Sequence, residues 1–359
     1  MNSLPQRLVP PPTKGHVSVA RLSSFWYVAC RSRELSRAPL ARTLLGVPLV
    51  LFRDAQGRPA TLLDRCPHRN VPLSIGRVTE RGLLECGYHG WQFEGGGSCL
   101  LVPGLRAEDN SKERRVPAFA TLEQDGFIWV YATADSPPEG RPFELGLSGK
   151  PEYTSVVREV AVDSTLHAAV ENALDVPHTA YLHKGLFRGG KKNEVTATVR
   201  RTATRVEAEY RGEPRPEGIV GRILSPSGGI VEHWDRFILP SIAQVEYRLG
   251  SETHFLVTSL CSPIDDFSTR MFAVVEFKTR LPGRLLKLVL EPVAMRIFAQ
   301  DARILAQQTA NIRRFGGEQY MTTDIDILGS HIWRLLKQAE RGERPSDEAV
   351  VERDVHFLA

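Results

Sequence analysis

The chain has 359 residues, 42% hydrophobic and 25% charged, with a formal net charge of +4. This length and balance support one large domain or two packed ones and exclude a disordered chain. Its basic residues are scattered among nearly as many acidic ones, which argues against nucleic acid as a partner. In chain order, residues 1–17 read as a Pro-rich tail without the apolar core of a secretory signal. Residues 18–135 alternate short β-prone runs ("TLLGVPLVLF", "GFIWVYA") with Gly/Pro/Asp turns, which predicts a small all-β domain. A Pro/Gly-rich linker follows over 136–150. Residues 151–340 mix β-prone runs ("EVTATVRRTATRVEAEYRG", "HFLVTSLCSPI", "RMFAVVEFKTR") with helical patterns over His167–His183, Leu285–Phe315 and Ile332–Ala339. Residues 341–359 read as a C-terminal tail. The fold class is α+β, a small β domain followed by a larger α+β one. The longest apolar stretch, Leu285–Phe298, is broken by Lys287, Glu291 and Arg296 and is too polar to span a bilayer. Five cysteines, an odd number, suit a reducing compartment with thiolates on metal, so the expectation is a cytoplasmic protein.

Two mixed pairs stand out in the β domain: Cys66 with His68, then, after seventeen residues, Cys86 with His89. A tetrahedral structural zinc site uses this ligand set. Two adjacent loops that each offer one sulfur and one nitrogen suit a [2Fe–2S] cluster better, with two cysteines on one iron and two histidines on the other. "CPHR" and "CGYHGW", with Gly90 and Trp91 after the last ligand, resemble the Rieske motif. Respiratory Rieske proteins add a disulfide between the loops; Val71 and Tyr88 occupy those places here, which leaves the oxygenase and ferredoxin subclasses.

A second constellation, "ENALDVPHTAYLHKG", begins at Glu171, about eighty residues after the first. His178 and His183 are five apart, about 140° from alignment on an ideal helix. Pro177 cannot sit inside a helix, so a break near Val176–Pro177 is expected, which would turn both imidazoles toward one point. Two histidines and a carboxylate form the facial triad of non-haem Fe(II) oxygenases. The run N-x-x-D-x-x-H-x-x-x-x-H resembles that of Rieske non-haem iron oxygenase α-subunits, in their α-only, monooxygenase-type branch.

The resemblance implies an N-terminal all-β Rieske domain and a larger α+β catalytic domain whose antiparallel sheet is covered by helices. It implies a [2Fe–2S] cluster on Cys66, His68, Cys86 and His89, and Fe(II) on His178, His183 and Asp301, the last in "FAQDARILAQQ". Asn172 would lie near the iron, and Asp175 would bridge His178 to the partner subunit's His89 in a head-to-tail homotrimer. Electrons would come from NAD(P)H through a reductase, with or without a ferredoxin, and O2 would be the oxidant. A Rieske electron carrier and a zinc-stabilised binding protein are the rival classes; neither needs the second constellation.

For the substrate, the apolar run Leu285, Leu286, Leu288, Val289, Leu290, Val293, Ile297 and Phe298 suggests a bulky polycycle such as a sterol or triterpenoid. A small aromatic or N-methyl compound is the alternative. Arg280, Arg284 and Lys287 would allow at most a peripheral membrane contact. Glu171 reads as solvated, and Cys30, Cys99 and Cys261 as small buried hydrophobes. His233, His254 and His331 read as structural, with His233 the one candidate pocket residue.

Overall fold

The computed structural model describes residues 21–105, 114–183, 194–213, 231–250, 253–279, 283–343 and 351–358. The described chain divides into two compact units: Arg21–Leu145 with Ser262–Asp265, and Gly146–Cys261 with Asp266–Ala359.

The first unit holds a six-stranded antiparallel sheet. It is formed by β1 (Trp26–Arg31), β2 (Leu40–Leu44), β3 (Val47–Arg53), β4 (Pro59–Leu63), β9 (Ala118–Gln124) and β10 (Phe127–Ala134), in the order β1-β10-β9-β4-β3-β2. In β10 the run Phe127–Tyr131 is buried at every position, as a strand covered on both faces requires. A four-stranded sheet of very short strands joins β5 (Arg77–Val78), β6 (Leu84–Glu85), β7 (Gln92–Phe93) and β8 (Cys99–Leu101). The loop Cys86–Trp91 connects β6 to β7. Its counterpart, Cys66–Val71, precedes a 3-10 turn at Leu73–Ile75.

The second unit is an eight-stranded antiparallel sheet with helices. Its strands are β11 (Thr154–Val162), β12 (Glu194–Arg201), β13 (Arg205–Arg211), β14 (Val231–Ile238), β15 (Ile242–Leu249), β16 (Thr253–Asp265), β17 (Ser268–Lys278) and β18 (Val351–Leu358). The order is β11-β17-β16-β15-β14-β13-β12-β18. The fold class is the one expected. β14 and β15 correspond to none of the β-prone runs, because one face of each carries charge (Glu232 and Arg236; Glu246 and Arg248), which dilutes the apolar signal.

The pattern over His167–His183 splits into α1 (Leu166–Asn172) and the single turn α2 (Thr179–Leu182), with Pro177 between them. The Thr165 hydroxyl caps α1 by accepting from the Ala168 amide. Helix α3 (Gly283–Phe315) packs on β11 and β17: Leu305 and Ala302 meet Ala168 of α1 with Val160, Val162 and Met271 of the sheet. Helix α4 (Gly329–Glu340) buries Ile332, Leu335 and Leu336, the stripe read from the sequence.

Residues 351–358, read as part of a tail, form β18, which pairs with β12 from Val351↔Arg201 to Leu358↔Glu194. Alternation of Glu352, Asp354 and His356 with Val355 and Phe357 is an edge-strand pattern, too charged to stand out as a β run.

The backs of the two cysteine loops meet at glycine. A Cβ on Gly76 would lie 1.9 Å from the Glu85 carbonyl oxygen, one residue before Cys86. Gly76→Ala is therefore expected to destabilise the first unit by about 1–3 kcal/mol, read from its melting transition.

Candidate metal centres

In the first unit the cysteine loops repeat one design. The Cys66 amide donates to the Val71 carbonyl at 2.9 Å and the Asn70 amide to the Cys66 carbonyl at 2.9 Å. The Cys86 amide likewise donates to Trp91 at 2.8 Å and the Gly90 amide to Cys86 at 3.0 Å. The fourth residue after each cysteine is left-handed, Asn70 at φ 63° and Gly90 at φ 70°. Asn and Gly are the residues that tolerate this region, so the turn chemistry is encoded locally.

Both cysteines are buried, Cys66 at 1% and Cys86 at 2% exposure. Burial pushes the Cys66 thiol up to about 11 and the neighbouring Cys86 adds to this, while amide hydrogen bonds from His68 and Arg69 act the other way. Amides aimed at a buried sulfur favour the thiolate, the form that binds metal. The histidines lie on the outer side. His68 and His89 have ring centroids 4.5 Å apart, and His68 stacks on Trp91 at 4.8 Å and 5°. Burial, Arg69 and His89 lower the His68 pKa, and its buried Nδ1 has no hydrogen-bond partner. An imidazole with an unmatched nitrogen among the described residues, beside two buried sulfurs of which Cys66 faces amides, fits a two-iron cluster split into sulfur and nitrogen ends.

In the second unit, α2 makes one turn and its two flanking residues are His178 and His183. The Leu182 amide closes that turn on the His178 carbonyl at 2.8 Å, and the imidazole centroids are 5.0 Å apart. Asp301, midway along α3, brings Oδ1 to 3.1 Å from His183 Nε2 and 3.6 Å from His178 Nε2. The two Nε2 atoms are 3.2 Å apart. Metal bonds of about 2.1 Å at right angles would set ligand atoms about 3.0 Å apart, so these three atoms fit one face of an octahedron. Among the described residues this is the one group of three or more potential ligands whose atoms all lie within 4.8 Å.

Each imidazole is held from behind. Asp175 Oδ2 lies 3.5 Å from His178 Nδ1, and Gln300 Oε1 lies 2.9 Å from His183 Nδ1. With Nδ1–H donating to Gln300, the neutral His183 ring keeps Nε2 as its lone-pair nitrogen. Sequence reading missed Gln300. Its only signal is its place beside Asp301, and a glutamine in a helix carries no chemistry of its own until the fold puts it behind a histidine. Asn172 is the last residue of α1.

Glu171 is not the solvated residue expected. It packs so closely on Gly329 of α4 that a Cβ there would lie 2.1 Å from its carboxylate. Burial, then Asp175, Asp326 and Glu318, push its carboxyl up to about 7.

Two family models match the chain: the Rieske [2Fe-2S] domain over residues 25–120 and the vanillate O-demethylase oxygenase C-terminal domain over residues 162–342. The second alone spans half of the chain. The protein belongs to the Rieske oxygenases. It is an oxidoreductase, of a family whose N-terminal domain carries a [2Fe–2S] cluster and whose catalytic domain uses non-haem iron. It is 28% identical over 363 residues to the vanillate O-demethylase oxygenase subunit of Pseudomonas sp. (strain HR199 / DSM 7063), covering 91% of this chain and 97% of that one. It is 41% identical over 164 residues to the dicamba O-demethylase oxygenase component of Stenotrophomonas maltophilia, a match spanning 44% of this chain and about half, 47%, of that protein. The crystal structure of dicamba monooxygenase bound to dicamba superposes with a TM-score of 0.76 at 25% identity, covering 90% of this chain and 98% of that one. No described helix of this Rieske oxygenase is long and apolar enough to cross a membrane.

In the metal-free protein, burial opposes protonation of His178, but Asp175 and Asp301 outweigh it and raise its pKa from 6.5 to about 9. A raised pKa stabilises the fold fully below pH 6.5, and the contribution fades as pH rises through about 9. The His178 ring resonance of metal-free protein is expected to titrate near that upper value, and Asp175→Asn to lower it.

Proposed function

We propose that this chain is the oxygenase component of a multicomponent demethylase, which removes a methyl group from oxygen or nitrogen of a small aromatic compound. The observation that carries this reading is the His178–His183–Asp301 group, held in a chain that matches demethylase oxygenases along most of its length. Hydroxylation of the methyl carbon would release formaldehyde and leave the phenol or amine. One oxygen atom of O2 enters the product and the other leaves as water, with two electrons and two protons from NAD(P)H and solvent.

Cys66 and Cys86 would hold one iron of the cluster and His68 and His89 the other; His178, His183 and Asp301 would hold the mononuclear iron. When bound, the cluster supplies single electrons delivered by an external reductase, with or without a ferredoxin, and the iron supplies O2 activation at its open positions. The protein's part is to fix those ligands. Gln300 sets the tautomer of His183, Asp175 lies 3.5 Å behind His178 Nδ1, and the near-complete burial of His183, at 2% exposure, keeps water from that side. Asp175, half-buried, is also the group we assign to the electron path toward the partner's His89 in a head-to-tail trimer.

The bulky-polycycle expectation is not supported. It rested on the apolar start of α3, where Leu288 is 72% and Val293 39% exposed, so neither lines an interior pocket of this chain. The side chains of Leu285, Leu286, Val289 and Leu290 lie outside the described residues, as do Arg280 and the side chains of Arg284 and Lys287 that suggested a membrane contact. The two relatives described above are named for O-demethylation, of dicamba and of vanillate, which favours the small aromatic alternative.

A single turnover under ¹⁸O2 tests the reading. Anaerobically reduced protein would meet a panel of methoxy- and N-methyl-arenes, sterols and triterpenoids, with formaldehyde trapped as it forms. Labelled formaldehyde from the small arenes alone is expected. Cluster oxidation without product from any class would return the electron-carrier reading. Gln300→Leu is expected to weaken Fe(II) binding about 10–100-fold in an anaerobic titration, with the cluster absorbance unchanged. Asp175→Asn should load both centres yet uncouple cluster oxidation from product formation; unchanged turnover would remove Asp175 from the electron path.

A further inference from the structure

The eight-stranded sheet of the second unit turns one face toward the helices. Ala302 and Leu305 of α3 meet Val160, Val162 and Met271, which marks the helix side of β11 and β17. Side chains alternate along a strand, so Val156, Val275 and Phe277 share that side. Phe277 stacks on Phe255 of β16 at 5.7 Å, and Phe255 lies opposite Tyr247 of β15. The helix side of β15 and β16 therefore carries Val245 with Tyr247 and Phe255 with Val257. One row on this face runs across five strands, from Val199 through Ala208, Asp235 and Val245 to Val257. At its β12 end, Val199 borders a polar pocket of about 290 Å³ together with Ser330 and His331 of α4.

Helix α3 thus lies over one end of the face and α4 over the other. Between them Val245, Tyr247, Phe255, Val257 and Val275 are each only partly buried. On the reverse of the same strands Glu246, Leu256 and Thr258 are buried. Apolar and aromatic side chains left partly open in the middle of a sheet, between two helices, form a floor suited to an apolar ligand. The iron ligands stand on the same side. Asp301 precedes Ala302 on α3, and Val275 lies four residues from Met271 on the same face of β17, about 13 Å along the strand.

We propose that Val245, Tyr247, Phe255 and Val257 hold the ring of the substrate, and that this substrate is an uncharged methoxy- or N-methyl-arene rather than an arene carboxylate. A carboxylate laid on the two valines would exchange water for apolar contact, a costly transfer for a charge. The side chain next in their row, directly opposite Val245, is itself a carboxylate, Asp235. An uncharged ring loses little water there and gains the faces of Tyr247 and Phe255. The inference rests on the demethylase reading and narrows its substrate class; the four residues are specificity determinants and hold no metal.

The test uses the full chain with cluster and iron loaded, kept anaerobic, and reads binding by calorimetry with a matched pair, anisole and its para-carboxylate, anisate. Anisole is expected to bind about tenfold tighter. Val257→Asp should weaken anisole about tenfold, and Val245→Lys should move the preference toward anisate. Iron, sulfide and melting temperature are measured in parallel, so that a variant that fails to fold is recognised, and the comparison of the two ligands on the unaltered chain decides without the variants. Equal or tighter binding of anisate would overturn the proposal. Variants that load both centres and bind each ligand as the unaltered chain does would overturn it equally, and so would binding of neither ligand. In all of these cases labelled formaldehyde from any small arene under ¹⁸O2 leaves the demethylase reading standing, and its absence from every arene removes that reading as well.

Discussion

Two imidazoles five residues apart must face one point, and on a continuous helix they could not. The local structure around the iron ligands answers that single geometric demand. Helix α1 ends at Asn172, Pro177 forbids its continuation, and α2 lasts only the four residues Thr179–Leu182, so His178 and His183 flank one turn and converge to 5.0 Å. The break has a second use. Asp175 falls inside it, off any helix, where its carboxylate can reach back to His178 Nδ1. Helix α3 then supplies neighbours with different tasks. Residues adjacent on a helix point about 100° apart, so Asp301 can face both Nε2 atoms while Gln300 reaches the far side of the same His183 ring. One ring is thus gripped from front and back by two consecutive residues.

The other centre meets the opposite problem. Sulfur ligands need to be buried and yet charged, and burial alone pushes Cys66 toward the neutral thiol. The chain counters with backbone rather than with side chains. Each loop turns through a left-handed fourth residue, Asn70 or Gly90, and amides of the Cys66 loop point at its sulfur. Because the same turn is built twice, the cysteines fall on the inner side and the histidines on the outer. The loops back so closely at Gly76 that a side chain there would strike the Glu85 carbonyl.

Much of this was legible in the sequence, and the reason is local. Cys-x-His, Cys-x-x-His and the Asp-x-x-His-x-x-x-x-His run are short segments whose spacing alone limits what they can bind, and Pro177 announces the break. What was not legible depends on pairing between distant segments. β14 and β15 carry charge on one face, where Arg236 sits between Glu207 and Glu246, so hydropathy hides them even though they lie inside the sheet. β18 looked like a tail because its partner β12 lies about 150 residues earlier, and nothing local to "VERDVHFL" calls for it. Gln300 and the burial of Glu171 against Gly329 are of the same kind, contacts between elements that no spacing rule connects.

The histidines outside the metal centres show how satisfaction, more than burial, separates structural groups from candidates for binding. His233 was the one singled out from sequence as a pocket residue, yet it is clamped. Nε2 meets Asp235 at 2.9 Å, Nδ1 meets Glu213 at 3.1 Å, and the ring stacks between Tyr210 and Tyr247. Burial opposes its protonation, but the two carboxylates outweigh burial and raise its pKa to about 9, so it stands as a charged tie across β13, β14 and β15. A ring with both nitrogens engaged and both faces covered has nothing left to offer a ligand. His254 is similarly spent, on Tyr153 at 2.7 Å and Glu246 at 3.0 Å. His331 differs from both: its buried Nδ1 has no hydrogen-bond partner among the described residues. Of three histidines that composition and motif could not tell apart, the ones with complete hydrogen bonding hold the sheet together, and the incomplete one borders a pocket.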